Sequence, residues 1–182
     1  ADDIDAVLPT IRSRSRLLRV GVPSKEDALA WLSSQKRLKG DPEVALAMAG
    51  GAPLNAVKDI TGLTLDAKAS ATLRDLLARG RSLTPDSIVR GYSASMGIPA
   101  VALHLSRWCY DLLRVKSGAD PHFFIREKDV LEKIAADATM KNLLSLNAAV
   151  AEMRRSAEHP LAPRQVWEGV LLVYVRALGG QV

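Results

Sequence analysis

Apolar residues recur along this chain at intervals of three and four positions from Ser24 onward, and no stretch keeps the strict alternation that is typical of a strand. This spacing predicts one helix after another and therefore an all-α fold. Capping side chains mark three helix starts, at Ser24 with Asp27, at Asp41-Pro42 and at Thr84-Pro85.

The stretch from Ile98 to Val115 has two different faces in a helical projection. The apolar face consists of Val101, Leu105, Trp108, Leu112 and Val115. The other face carries His104, Arg107, Asp111 and Arg114. We therefore predict that this helix packs on one side only. Between residues 163 and 178 apolar residues occur almost all the way round, which predicts that the last helix is central to the core.

Glycine and proline divide the chain into two predicted bundles. The string Gly50-Gly51-Ala52-Pro53 is expected to end one helix and begin another, and we place a domain boundary near Gly62. A small three-helix bundle is predicted over residues 24–62 and a five- to six-helix bundle over residues 63–182. The opening stretch from Val7 to Ile11 is predicted to be a short extended piece or turn, because a proline beside β-branched residues does not belong inside a helix.

Composition and charge narrow the function only slightly. The chain of 182 residues has a net charge of +5, which leaves room for contact with nucleic acid or an acidic partner. The only dense basic cluster consists of Arg12, Arg14, Arg16 and Arg19. No apolar run approaches the roughly 20 residues that cross a bilayer, and the first residues are acidic where a secretory signal would be basic. We therefore expect a soluble cytoplasmic protein without membrane contact.

Candidate catalytic and metal-binding residues are few. The single cysteine, Cys109, excludes an internal disulfide and is predicted to be an inert core residue. His104, His122 and His159 are far apart and have no second ligand type at helical spacing, so we expect no metal; His104 is assigned to a polar helix face and His159 to a loop. Phosphate loops and nucleophile elbows are also missing, so no cofactor is expected.

The remaining motif is the string Leu8-Pro9-Thr10-Ile11-Arg12-Ser13-Arg14-Ser15-Arg16. Its composition alone fits a solvated basic loop, or a phosphate-contacting arm of a stand-alone helical nucleic-acid-binding protein. The string also resembles the stretch that ends the nucleotide-binding domain of clamp-loader subunits of the AAA+ ATPase family. There a Ser-Arg-Cys motif supplies an arginine finger, and here Ser13-Arg14-Ser15 stands in its place, with serine replacing the cysteine.

The resemblance extends over nearly the whole chain. Ala30-Trp31-Leu32 and residues 45–56 look like the helical lid that follows the motif, and residues 159–172 look like the end of the collar domain in the delta-prime branch of the bacterial DNA polymerase III clamp loader. The motor subunits carry an ATP-sensing arginine after Gly-Ser where this chain has Pro53-Leu54-Asn55, which favours delta-prime. The resemblance implies the end of a nucleotide-binding-type core at residues 1–23, a lid at 24–62 and an oligomerisation collar at 63–182.

The resemblance also implies a function in DNA replication. The collar would assemble the loader ring, and Arg14, flanked by Ser13 and Ser15, would reach ATP on a neighbouring motor subunit so that the sliding clamp is loaded on DNA. Implied partners are the motor (gamma/tau) and delta subunits and, through the complex, primed DNA and the clamp. The chain would then be part of the polymerase III holoenzyme and not an enzyme alone.

One further alternative to the clamp-loader interpretation is a stand-alone scaffold that self-associates through its last helices, which would also be all-helical. Within the clamp-loader interpretation, one set of apolar residues either forms a stripe toward a neighbouring subunit or fills the chain's own core: Met96, Phe123, Phe124 and Met140.

Overall fold

Helices account for the regular structure of the described residues. The structure, a computed structural model, describes residues 7–16, 18, 21–38, 40–57, 64–93, 96–156 and 162–180. In these residues every regular element is helical and none is a strand, which confirms the all-α prediction. The α-helices are α1 Pro9–Arg12, α2 Lys25–Ser33, α3 Pro42–Met48, α4 Pro53–Val57, α5 Ala67–Leu77, α6 Pro85–Gly91, α7 Ile98–Lys116, α8 Lys128–Asp137, α9 Met140–Ser156 and α10 Pro163–Ala177, with a 3-10 turn at Gly80–Ser82.

The three predicted helix starts are confirmed. The Ser24 hydroxyl accepts a hydrogen bond from the Asp27 backbone N–H at 3.1 Å, and an Asp41 carboxylate oxygen accepts one from the Glu43 N–H at 2.9 Å. Thr84 caps α6 in the same way. Each cap satisfies a backbone donor that has no partner inside its own helix.

The predicted break between α3 and α4 is also confirmed. Gly50 and Gly51 have φ angles of 65° and 84°, in the left-handed region that is costly for residues with a Cβ atom. Two successive residues of this kind end α3 and turn the chain toward Pro53, which begins α4.

The prediction for the opening stretch is wrong, because Pro9–Arg12 forms the short helix α1. Pro9 occupies the first helical position, where its fixed φ is already helical and its missing N–H would have no partner inside the helix. None of the residues of α1 is buried; Ile11, for instance, is 52% exposed. The helix therefore stands on the surface of the described structure.

Two hydrophobic clusters hold the helices together. A small cluster joins α2 and α3 through buried Ala28, Leu32 and Leu46, and half-buried Ala56 and Val57 of α4 pack against it. A much larger one extends from Ala69 to Leu178 and joins α5 to α10. The predicted boundary near Gly62 lies outside the described residues. The two clusters lie on either side of that gap in the sequence.

Two helices form the centre of the larger bundle. Helix α7 packs against α8, α9 and α10, and α10 packs against α6, α7 and α9. Two buried polar side chains also link these helices, since the Trp108 indole N–H donates to the Tyr174 hydroxyl at 3.2 Å and that hydroxyl donates to the Leu77 carbonyl at 2.7 Å. A satisfied buried hydroxyl fixes the packing register more narrowly than apolar contact alone.

The prediction that α7 packs on one side only is wrong. His104 is 3% exposed and Asp111 is fully buried, although both were assigned to the polar face. At about 100° per residue, His104 lies about 40° and Asp111 about 60° from Trp108 around the helix, close enough to the buried face to be covered by neighbouring elements. The buried face of α7 is therefore wider than its apolar stripe.

His104 is held in its neutral form inside the bundle. Burial, with smaller effects from the positive charges of Arg107 and Arg74, lowers its pKa from 6.5 to about 4. Its ring contacts Phe124 edge-on at a centroid distance of 5.1 Å, and its buried Nε2 atom accepts no hydrogen bond from the described residues. Protonating the ring would place an unpaired positive charge in the core.

This difference in pKa predicts loss of stability in mild acid. Below pH 6.5 the unfolded chain binds a proton at His104 that the folded chain binds only below about pH 4, so the free energy of unfolding falls as the pH falls between these values. We expect a loss of about 2 kcal/mol between about pH 7.5 and about pH 5, measured by urea unfolding. His104→Phe keeps the aromatic contact and should remove this part of the pH dependence; an unchanged pH dependence in that variant would contradict the assignment.

An ionic contact connects the small cluster to the larger bundle. The Arg126 guanidinium donates to the Asp41 carboxylate at 2.7 Å and lies 3.6 Å from Glu43. This hydrogen bond lowers the pKa of Asp41 below its ordinary value. A cleft of about 300 Å³ lies beside the contact, between α2, α3 and residues 121–125. The junction combines this exposed ion pair with an apolar contact, because Met48 of α3 packs against the larger core.

Candidate functional site

The Ser-Arg motif lies in an exposed turn directly after α1. The backbone N–H of Arg14 donates to the Ile11 carbonyl at 3.1 Å, and that of Ser15 donates to the Arg12 carbonyl at 3.3 Å. The Ser13 hydroxyl is used locally, because it donates to the Thr10 carbonyl at 3.2 Å. These local bonds fix the backbone while the side chains of the motif remain in solvent.

The turn presents charge and hydrogen-bond donors outward. Arg12, Arg14 and Arg16 are all exposed, and the fourth arginine of the predicted cluster, Arg19, lies outside the described residues. A guanidinium keeps its charge and offers a planar fork of donors that matches phosphate oxygens. The arrangement can therefore bind an anionic group on another molecule.

The structure gives the positions of the cysteine and of two of the three histidines that were considered as catalytic or metal-binding residues. Cys109 is 1% exposed and burial raises its pKa to about 12, which confirms the prediction of an inert core thiol. His104 is buried, whereas His122 is exposed in the loop after α7; His159 lies outside the described residues. Within the described ranges, histidine, cysteine and acidic side chains do not gather into a group that would hold a metal ion.

A second, partly exposed cluster lies at the carboxy-terminal half of α7 and was not predicted from the sequence. The rings of Tyr110, His122 and Phe123 contact one another edge-on, with centroid distances of 4.7 to 6.2 Å. The Arg107 guanidinium lies over the Phe123 ring at 5.5 Å, and that of Arg114 lies over the Tyr110 ring at 5.8 Å. We refer to these five residues as the arginine–aromatic surface.

A buried carboxylate fixes this surface. One oxygen of Asp111 accepts the backbone N–H of His122 at 2.7 Å, and the other accepts those of Phe123 at 2.9 Å and Phe124 at 2.7 Å. Three charge-assisted hydrogen bonds to one side chain hold the loop at residues 122–124 against α7. The only sequence signal was an acidic residue beside the apolar stripe of a helix.

The apolar residues whose role was left open divide between two positions. Met96 and Phe124 are 5% and 3% exposed and fill the core of the larger bundle. Phe123 is half-buried in the arginine–aromatic surface, and Met140 is 37% exposed at the start of α9. The four residues therefore do not form one stripe.

None of the helices in the described ranges is at once long and apolar enough to pass through a bilayer. No protein-family model and no curated protein matches the chain.

Proposed function

We propose that this chain is the helical lid and collar region of a clamp-loader subunit of the delta-prime type, and that it takes part in DNA replication by helping to load the sliding clamp. The observation that carries the proposal is the position of Ser13-Arg14-Ser15 in an exposed turn, followed by a three-helix cluster and then by a six-helix bundle. The same order of motif, lid and collar is expected from the resemblance.

In this proposal Arg14 acts in trans. Its exposed guanidinium would approach the γ-phosphate of ATP that is bound to a neighbouring motor subunit, where negative charge spreads over the phosphoryl oxygens in the transition state. Ser13 would position the turn through its bond to Thr10, and Ser15 would continue the turn through its own backbone bond. The chain would thus contribute to hydrolysis without binding nucleotide itself.

The larger bundle would provide the assembly surface. Met140 and Leu144 lie one turn apart on α9 and are 37% and 54% exposed, so they form an apolar ridge. Exposed apolar side chains of this size are suited to burial against another helical subunit.

The test is complex formation. We expect the purified chain, mixed with motor and delta subunits, to elute from gel filtration as a heteromeric complex whose mass is measured by light scattering. Leu144→Glu should weaken the complex, whereas Val89→Glu, at a 41% exposed position on α6, should leave it intact. The proposal is wrong if the wild-type chain elutes alone in the presence of both partners.

The exposure of Arg12, Arg14 and Arg16 also favours a second function, nucleic-acid binding through a basic arm. Such binding needs no partner protein, and the logarithm of its affinity would fall with the logarithm of the salt concentration by about 0.7 for each single-strand phosphate contacted. A chain that stays alone on gel filtration, binds DNA in this salt-dependent way and loses that binding when Arg12, Arg14 and Arg16 are replaced by alanine would support the second function.

A further inference from the structure

The arginine–aromatic surface places aromatic rings beside guanidinium groups. Tyr110 is 45% exposed and His122 is exposed beside it, so part of each ring is accessible to a ligand. The guanidinium groups of Arg107 and Arg114 adjoin the same rings. Single-stranded nucleic acid presents flat bases and phosphates in alternation, and proteins bind it with aromatic and cationic side chains placed side by side.

The positions of the two arginines suit a ligand that lies along α7. Arg107 and Arg114 are seven residues apart, which is two helical turns, or about 10 Å along the axis, and Tyr110 lies between them. Arg114 is positioned by a bond from its Nε to the Asp120 carbonyl at 2.8 Å, and its terminal amino groups carry further donors. The Asp120 carboxylate is paired with Lys128 at 2.7 Å, which offsets its negative charge near the surface.

The surface is ordered before any ligand binds. Asp111 holds the backbone of His122 and Phe123, and Tyr110 projects from the 19-residue helix α7. Groups that are already fixed lose little conformational entropy on binding, so more of the contact energy appears as affinity.

We propose that the arginine–aromatic surface binds single-stranded nucleic acid, with bases stacked on Tyr110 and His122 and phosphates held by Arg107 and Arg114. This site is separate from the Ser-Arg turn and goes beyond the proposed function, which gives the bundle an assembly role. A protein partner would also contact tyrosine and arginine. The contiguous rings between two guanidinium groups favour the alternating chemistry of a single strand.

The proposal can be tested by fluorescence anisotropy with the 182-residue chain and labelled oligothymidylate of about 16 nucleotides. Tyr110→Ala should raise the Kd by about 5- to 150-fold, since removing one stacking ring costs this much per base. Tyr110→Phe keeps the ring and should bind like the wild type. Arg114→Gln should reduce the slope of log affinity against log salt by about 0.7.

A variant of the Ser-Arg turn distinguishes binding at this surface from binding at the turn. Replacing Arg12, Arg14 and Arg16 together by alanine should leave the effect of Tyr110→Ala unchanged. The proposal is overturned if the wild-type chain does not bind the oligonucleotide, or if Tyr110→Ala binds normally while the turn variant does not. Loss of the clamp-loader complex in Tyr110→Ala, without any oligonucleotide binding by the wild type, would assign the surface to a protein partner instead.

An oligouridylate probe of the same length distinguishes the source of the strand. Tighter binding of oligothymidylate would support DNA as the ligand, and tighter binding of oligouridylate would support RNA; both outcomes agree with the proposed site. Because the measurement uses the chain without other subunits, its failure would leave the clamp-loader proposal standing, and failure of complex formation would leave the strand-binding site standing.

Discussion

Replacing Arg14 by alanine is expected to lower ATP hydrolysis by about three to five orders of magnitude at the one motor site that this chain would complete. The reason is the loss of the guanidinium that would stabilise charge on the γ-phosphoryl oxygens. The side chain is exposed and α1 buries no residue, so the substitution should not unfold the chain. The effect should therefore appear in catalysis and not in stability.

The measurement is the ATPase rate of a clamp loader reconstituted with a delta-prime subunit that carries this sequence. ATP sites that receive their arginine from other subunits continue to hydrolyse ATP and set the residual rate. The fraction of the total ATPase rate that is lost therefore measures the contribution of the site that Arg14 would complete. Arg14→Lys should restore little, because an ammonium lacks the planar fork of donors. Arg12→Ala and Arg16→Ala are matched controls on the same turn, and an unchanged rate in Arg14→Ala together with a loss in Arg12→Ala would refute the assignment.

Replacing Asp111 by alanine is expected to destabilise the chain by about 3 kcal/mol or more. The substitution leaves the backbone N–H groups of His122, Phe123 and Phe124 without their acceptor. The bond from Phe124 is buried and the other two are partly buried, and a buried donor without a partner costs about 1–3 kcal/mol. Phe124 packs against Trp108 with a centroid distance of 4.9 Å, so displacement of the loop would also disturb the core.

The unfolding midpoint in urea measures this loss. Asp111→Asn should fall between alanine and the wild type, because an amide has one acceptor oxygen where the carboxylate has two. Asp120→Ala removes an exposed carboxylate from the adjoining loop and should change the midpoint little. Equal midpoints for Asp111→Ala and Asp120→Ala would show that the three hydrogen bonds do not hold the loop.

The features that the sequence predicted correctly depend on near neighbours in the chain. Ser24, Asp41 and Thr84 cap helices through donors two or three residues away, so their role is visible in a short window. Gly50 and Gly51 likewise interrupt α3 through their own backbone angles. The all-α fold follows from many such local signals.

Two of the wrong predictions concern residues whose contacts are distant in the sequence. The third applied the rule against proline inside helices to a proline at a helix start. A helical projection places Asp111 on the polar face, because it cannot show that the donors to this carboxylate lie 11 to 13 residues away in a loop. His104 was misplaced for a similar reason, since Phe124 covers it from that same loop. Pro9 was excluded from a helix, although proline is suited to the first helical position.

The candidate site was predictable only in part. Composition identified the basic string around Arg14, and its exposure is visible in the structure, but a role in trans depends on a second molecule. The arginine–aromatic surface could not be predicted, because Tyr110 and Phe123 belong to different elements that Asp111 brings together.

The Arg126 junction has a consequence for the shape of the molecule. Met48 of α3 packs against the core of the larger bundle. Beside that apolar contact, the pairing of Arg126 with Asp41 and Glu43 lies in solvent, where dissolved ions weaken it. Raising the ionic strength should thus weaken the contact between the two parts before either part unfolds. The radius of gyration in X-ray scattering would then grow with added salt while the helical circular dichroism stays constant.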